Sequence, residues 1–215
     1  MSENIHPLNM LSASEISDAV SILKQSNKAH ENTSFSYISL EEPEKKLLKE
    51  NTNLDRIVKI VGVSQESRGF EASISLSKKE VLKEEEISNN AGPTYTLAEI
   101  FKAIELTMEN EDYQNALKKR GIEDLSLIQI DPWPGGGFVN KNIKNGNRAL
   151  RAISFLKDSE KDNAYARPIQ GLIAHVDLTE KQVVEIEDHG VIKVPEAHAR
   201  YDKDGQDSLR ENPKE

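Results

Sequence analysis

Apolar and polar positions along this chain fall into two rhythms, one helical and one alternating, and the pair of rhythms occurs twice. The first helical stretch opens at Ser12-Ala13-Ser14-Glu15, where Ser12 is placed to cap the backbone N–H of Glu15 and Glu15 to reach back, a capping box. Leu11 and Ile16 stand at hydrophobic-staple spacing, and Ile16, Ala19, Val20 and Leu23 mark one face of a helix ending near Ser26 and Asn27. A second start lies at Thr96-Leu97-Ala98-Glu99, with Tyr95 and Ile100 as the staple and Leu97, Ile100, Phe101, Ile104 and Met108 as the apolar stripe. A shorter helix from Glu111 to Lys119 should follow and stop at Gly121.

Alternating segments follow each helix. After the first come Phe35–Leu40, Arg56–Val63, Phe70–Leu76 and Val81–Ile87, with a short helix over Pro43–Asn51. After the second come Leu125–Ile130, Leu150–Leu156, Leu172–Leu178 and Gln182–Glu187. Each reads as a strand with one wet face, and short connections favour antiparallel neighbours. Ala72–Glu86 lies over Ala174–Asp188 without a gap, with Ala, Leu, Lys, Val and Glu coinciding in register. Shared turn register is more than shared alternation, so the chain reads as a duplication. The expected fold is α+β: two tandem modules, each a helix packed on a four-stranded antiparallel sheet. The linker is the turn-rich Ser88–Pro93, which gives modules over residues 1–90 and 91–200. The second module carries two long connections, Asp131–Ala149 and Lys157–Gly171, and connections of that length are commonly functional. They hold Trp133 and Phe138 in one and Tyr165 in the other.

Composition narrows the chemistry. Charged residues make up 30% of the chain and the net charge is -9, the opposite of the basic face a nucleic-acid binder needs. There is no cysteine, which removes disulfides, thiolate nucleophiles and zinc–thiolate sites. The opening residues lack the apolar core of a signal peptide and no apolar run is long enough to span a membrane, so the expectation is a cytoplasmic protein without a membrane partner. The histidines His6, His30, His175, His189 and His198 show neither H-x-H nor H-x₃-H spacing, so no metal ligand set is expected. His175 and Asp177 share a strand face with Glu185 or Glu187 opposite, which reads as a salt-bridged face. Pro134–Phe138 lacks the Gly-Lys-Ser/Thr ending of a phosphate-binding loop. Glu84, Glu85 and Glu86 suit a sheet edge protected from strand addition. No nucleophile elbow or distinctive acid pair is present, so no catalytic residue is assigned. Trp133 is either a lid on the core or an exposed aromatic contact.

Several phrases resemble a known family. His6-Pro7-Leu8 followed by Leu11–Ile16 resembles the opening of the first N-terminal domain of copper amine oxidases. Leu125–Trp133, Asp162–Leu172 (with Asn163-Ala164-Tyr165-Ala166-Arg167-Pro168) and Glu187–Pro195 resemble their second. The resemblance runs from about His6 to Tyr201 and implies cystatin-like α+β modules. It implies a parent enzyme that is a homodimer and oxidises a primary amine to an aldehyde, with ammonia and hydrogen peroxide released. The copper and topaquinone of that reaction would sit in a C-terminal catalytic domain, the partner of these modules, with residues 201–215 leading toward it. This sequence has no Asn-Tyr pair and no His-x-His, so the resemblance implies a fragment without cofactor, inactive alone. By local motif, Phe101, Pro132, Trp133 and Tyr165 match positions that line the substrate channel in some members, although the apolar stripe makes Phe101 a core candidate. The alternative is a free-standing cystatin-like binding or inhibitor module.

Overall fold

The computed structural model describes residues 6–26, 29, 33–50, 54–64, 68–88, 92–136 and 140–196. The chain divides into two compact units between Thr96 and Leu97.

In the first unit, helix α1 (Ala13–Gln25) begins where the capping box is read. The Ser12 side chain accepts from the Glu15 N–H, and Glu15 accepts from the Ser12 N–H at 2.8 Å. Strands β1 (Ser34–Glu41), β2 (Ile57–Val63), β3 (Gly69–Ser75) and β4 (Glu80–Glu86) form an antiparallel sheet in the order β1-β2-β3-β4, with helix α2 (Lys45–Glu50) between β1 and β2. Ala19 and Leu23 of α1 close the core against Val58, Ile60, Ala72 and Ile74. Fully burying the Leu, Val and Ile side chains among these stabilises by about 1.5–3 kcal/mol each.

The second unit repeats the plan. Helix α3 (Leu97–Glu109) and helix α4 (Glu111–Lys119) precede β5 (Ile128–Pro134), β6 (Ala149–Leu156), β7 (Pro168–Asp177) and β8 (Gln182–Asp188), ordered β5-β6-β7-β8 and antiparallel. Asn110 caps α4, accepting from the Tyr113 N–H at 2.9 Å, and Gly121 ends it at φ +74, where a side chain would be strained.

The duplication reaches single residues. A bulge falls between Ser73 and Ile74 in one hairpin and between His175 and Val176 in the other. The turns hold Lys79 and Lys181 at φ 56 and 55, the two positive-φ residues other than glycine among those described. The hydrogen bonds Leu76 N to Arg56 O and Ile87 N to Gly69 O recur as Leu178 N to Arg148 O and His189 N to Gly171 O. Most telling, the first-turn glutamate of each helix is held by the arginine preceding the second strand. Arg56 Nε donates to Glu15 Oε1 at 2.5 Å, and Arg148 Nε donates to Glu99 Oε1. A strong charge-assisted clamp thus ties the helix start to the sheet in both copies.

Three expectations need correction. The strand expected over Leu125–Ile130 begins only at Ile128, after a single 3₁₀ turn at Leu125–Leu127, and continues through Pro132, Trp133 and Pro134. Prolines suggest a strand end, but an edge strand tolerates them because one side of its backbone has no neighbour to donate to. The next-to-last strand begins at Pro168 rather than Leu172, so both long connections are shorter than expected and Trp133 lies on a strand, not in a loop. Leu97 and Phe101 do not join the core: they are 71% and 64% exposed, while Ala103 and Thr107 turn inward. Among the described residues no helix is long and apolar enough to cross a membrane.

Candidate functional site

Alternation along edge strand β5 decides which side chains of the second sheet are available. Ile130 and Pro132 face the helices and are buried, as do Ala152 and Ser154 on β6. The Ser154 hydroxyl lies 2.6 Å from that of Tyr113 on α4, which fixes this as the helix side. Burial pushes the Tyr113 phenol up to about 12. Gln129, Asp131 and Trp133 project from the other face.

On that face the register sets two rows across the strands. One runs Trp133, Arg151, His175 and Glu185; the other runs Asp131, Ile153, Ile173 and Glu187. The 3₁₀ turn Ala164–Ala166, capped by Asn163, carries Tyr165. The Tyr165 ring meets that of Phe155 edge-on, with centroids 4.9 Å apart and planes at 72°. Its hydroxyl donates to Asp131 Oδ2 at 3.2 Å. The Asp131 charge, together with that hydrogen bond, raises the Tyr165 phenol above its usual value.

The far end of the face is an ion-pair cluster. His175 Nε2 is 2.8 Å from Glu187 Oε2, and His189 Nε2 is 2.6 Å from Glu187 Oε1. Hydrogen bonds from His175 and then His189 hold the Glu187 carboxyl below the usual range. Arg151 Nη2 stands 4.0 Å from the same carboxylate, and Asn140 donates to Glu185 at 2.7 Å. This is the salt-bridged strand face read from the alternation. Among the described residues no group of His, Asp and Glu is arranged to hold a metal ion; His30 and His198 lie outside them.

The four residues named by motif separate. Trp133 and Tyr165 share the open face at 56% and 55% exposure. Trp133 is therefore a surface aromatic and not a lid on the core. Pro132 is buried on the helix side, and Phe101 belongs to the helix layer, where its ring is exposed. Of the glycine loop, Gly136 has φ +57, while Gly137 and Phe138 lie outside the described residues. Asp131, Arg151 and Tyr113 are absent from the motif reading. Asp131 becomes visible as a neighbour of Trp133 once the strand is carried through Pro132, since residues two apart share a face.

The recognisable phrases of the second module hold it together. Arg120, almost fully buried, donates through Nη2 to Asp188 Oδ1 at 2.6 Å, Gly190 O at 2.7 Å and Gly171 O at 3.2 Å. Arg167 Nε donates to Pro195 O at 3.2 Å. The Glu187–Pro195 segment is thereby bound to α4 and to the start of β7.

Comparison with known proteins gives these features a setting. The family model described as the N2 domain of copper amine oxidases matches residues 6–54, and that of the N3 domain matches residues 98–205. The chain is 34% identical over 197 residues to a primary amine oxidase of Arthrobacter sp. (strain P1), covering 91% of this chain and 30% of that protein. It is 33% identical over 200 residues to a histamine oxidase of Arthrobacter globiformis, covering 91% and 29%. Among solved structures, a copper-containing benzylamine oxidase from Hansenula polymorpha superposes with a TM-score of 0.72 at 15% identity, over 93% of this chain and 34% of that one. The chain spans about a third of the length of these relatives.

Proposed function

This chain belongs to the copper amine oxidase family, and from that premise we propose that it is the N-terminal accessory part of a primary amine oxidase, structural in role and inactive alone. The carrying observation is that the N2 and N3 matches fall, in that order, on the two halves of the repeated fold. Copper and topaquinone do not fit the residues of this chain: the sequence has no Asn-Tyr pair and no His-x-His, and the histidines seen on the sheet face are committed to Glu187. In this reading both groups belong to a catalytic domain elsewhere in the parent enzyme, where they supply the oxidation of a primary amine to an aldehyde with release of ammonia and peroxide.

The part of this chain is then to shape access. Two half-exposed aromatic rings on one sheet face suit the wall of a route for an aromatic or aliphatic amine. The catalytic domain, a second copy of the enzyme and the amine are the partners in this reading, and the cytoplasm is its location. The test is direct. The 215-residue chain should give no peroxide with tyramine or phenethylamine, and the reading frame of its gene should continue into an Asn-Tyr-Asp/Glu motif. Turnover by the chain itself overturns the accessory role. A genuine stop after Glu215 favours the free-standing binding module instead.

A further inference from the structure

Asn145 and Gly146 are the single Asn-Gly step of the chain. They form the tip of a turn in the connection between β5 and β6, closed by one hydrogen bond from Asn147 N–H to Lys144 O at 3.1 Å. Gly146 takes φ +90 while Asn145 keeps a negative φ, the pattern of a type II turn. Both residues are exposed.

The chain on either side of this tip is fastened. Ile143 is buried, and Lys144 Nζ donates to Glu180 Oε1 at 2.6 Å. Asn147 Nδ2 donates to Asp177 Oδ2 at 2.7 Å, and the Arg148 N–H donates to Thr179 Oγ1 at 3.0 Å. The tip itself is free. Among the described residues neither the Asn145 side-chain amide nor the Gly146 N–H has a hydrogen-bond partner. A Cβ added at Gly146 would meet nothing within 4 Å, so no neighbour hinders movement there.

A backbone nitrogen whose own residue has no side chain can close on the side-chain carbonyl of the asparagine before it. The Gly146 nitrogen, after giving its proton to hydroxide, bonds to Cγ of Asn145. The bond from Cγ to the side-chain nitrogen breaks, and that nitrogen takes a proton from water and leaves as ammonia. Water then opens the five-membered imide. Opening at Cγ gives an aspartate, and opening at the backbone carbonyl gives an isoaspartate whose chain runs through the side chain. Water is the sole co-reactant, and nothing is oxidised or reduced. Ring closure requires rotation about the Cα–C bond of Asn145, which gives up the one exposed hydrogen bond of the turn. That loss slows the step about fivefold relative to the same residues in an unfolded chain.

We propose that Asn145 is a self-modification site, deamidating through Gly146 to place a new carboxylate in the connection between β5 and β6. The added charge stands beside Lys144 on a chain already at -9. Asn147 provides the internal contrast. Its amide is committed to Asp177, and the nitrogen that would attack it, that of Arg148, is held by Thr179 and carries a side chain.

The experiment incubates the purified 215-residue protein at mildly alkaline pH and follows it by mass spectrometry. Cleavage after lysine releases Asn145–Lys157, which contains both asparagines. Asn145 should gain one mass unit with time, as a mixture of aspartyl and isoaspartyl forms, while Asn147 stays intact. An isoaspartyl methyltransferase with a labelled methyl donor should mark the aged protein and not the fresh one. Asn145→Gln should abolish both signals, because glutamine closes its larger ring far more slowly. Gly146→Ala should slow conversion, and in concentrated guanidinium the unaltered chain should convert about fivefold faster than when folded. An Asn145 that stays intact in the aged folded protein while converting in guanidinium overturns the proposal. Equal conversion at Asn145 and Asn147 also overturns it. Neither result bears on the accessory role proposed above.

Discussion

The arginine clamp that recurs in the two modules yields a quantitative test. Arg148→Met keeps the aliphatic stem and removes the guanidinium, which leaves Glu99 without its fork. The pair is largely shielded, with side-chain exposures of 8% for Arg148 and 19% for Glu99. Removing one partner of a buried pair costs about 3–5 kcal/mol, and the residual hydration of Glu99 brings the expectation to about 2–3 kcal/mol. With a urea dependence of about 1.5 kcal/mol per molar for a module of this size, the midpoint should fall by about 1.3–2 M. The assay is urea unfolding followed by Trp133 fluorescence, since Trp133 lies on the strand paired with β6, immediately after Arg148. Glu99→Gln supplies the second corner of a double-mutant cycle, and the coupling should account for most of the loss. The twin variant Arg56→Met removes the clamp of the first module and should accelerate amide exchange in β2 and β3. A midpoint shift under about 0.5 M for Arg148→Met, or coupling near zero, refutes the claim that the clamp anchors the helix to the sheet.

Other predictions follow from single contacts. The Arg56 hydrogen bond, outweighing burial, holds the Glu15 carboxyl below its usual value; its contribution to stability is therefore full above the unfolded carboxylate pKa and fades as pH falls through the lower folded one, and Glu15→Gln should flatten that acid limb in pH-dependent unfolding. Tyr113 should resist ionisation until about pH 12 in an ultraviolet titration, and Tyr113→Phe should cost about 1 kcal/mol because Ser154 loses its buried partner. In the full-length enzyme of the proposal, Trp133→Ala should alter KM among small and bulky amines more than the rate of cofactor formation; unchanged kinetics across both classes would take Trp133 out of the amine's path.

Much of the fold is written in local signals. Ser12 and Glu15 announce the first helix because capping is decided within one turn, and the gapless match of Ala72–Glu86 to Ala174–Asp188 carries the shared bulge and the shared positive-φ lysine. What escaped depends on neighbours. Pro132 and Pro134 read as a strand end because the sequence does not say that β5 has an open side, and that single misreading hid the pairing of Asp131 with Trp133 on one face. Phe101 fits the apolar stripe by spacing, but the spacing cannot tell that Ala103 and Thr107, not Phe101, meet the sheet. Alternation alone placed Glu185 or Glu187 across from His175 and left the choice to the fold, which settles it on Glu187; the reach of Tyr165 to Asp131 joins residues far apart in sequence and needed the folded backbone.

The two prolines of β5 have an effect beyond the strand itself. They share one parity, and the ladder to β6 persists through both, so the missing amide protons are those that would otherwise point off the sheet. The rim beside Trp133 therefore cannot template a foreign strand, and the glutamates of β4 discourage it at an edge of the first sheet. Whatever meets the Trp133 rim finds outward proline carbonyls but no proline N–H donors, so a two-way backbone ladder cannot form there and side chains carry more of the contact. Such a rim can stay wet, aromatic and selective without inviting fibrous growth.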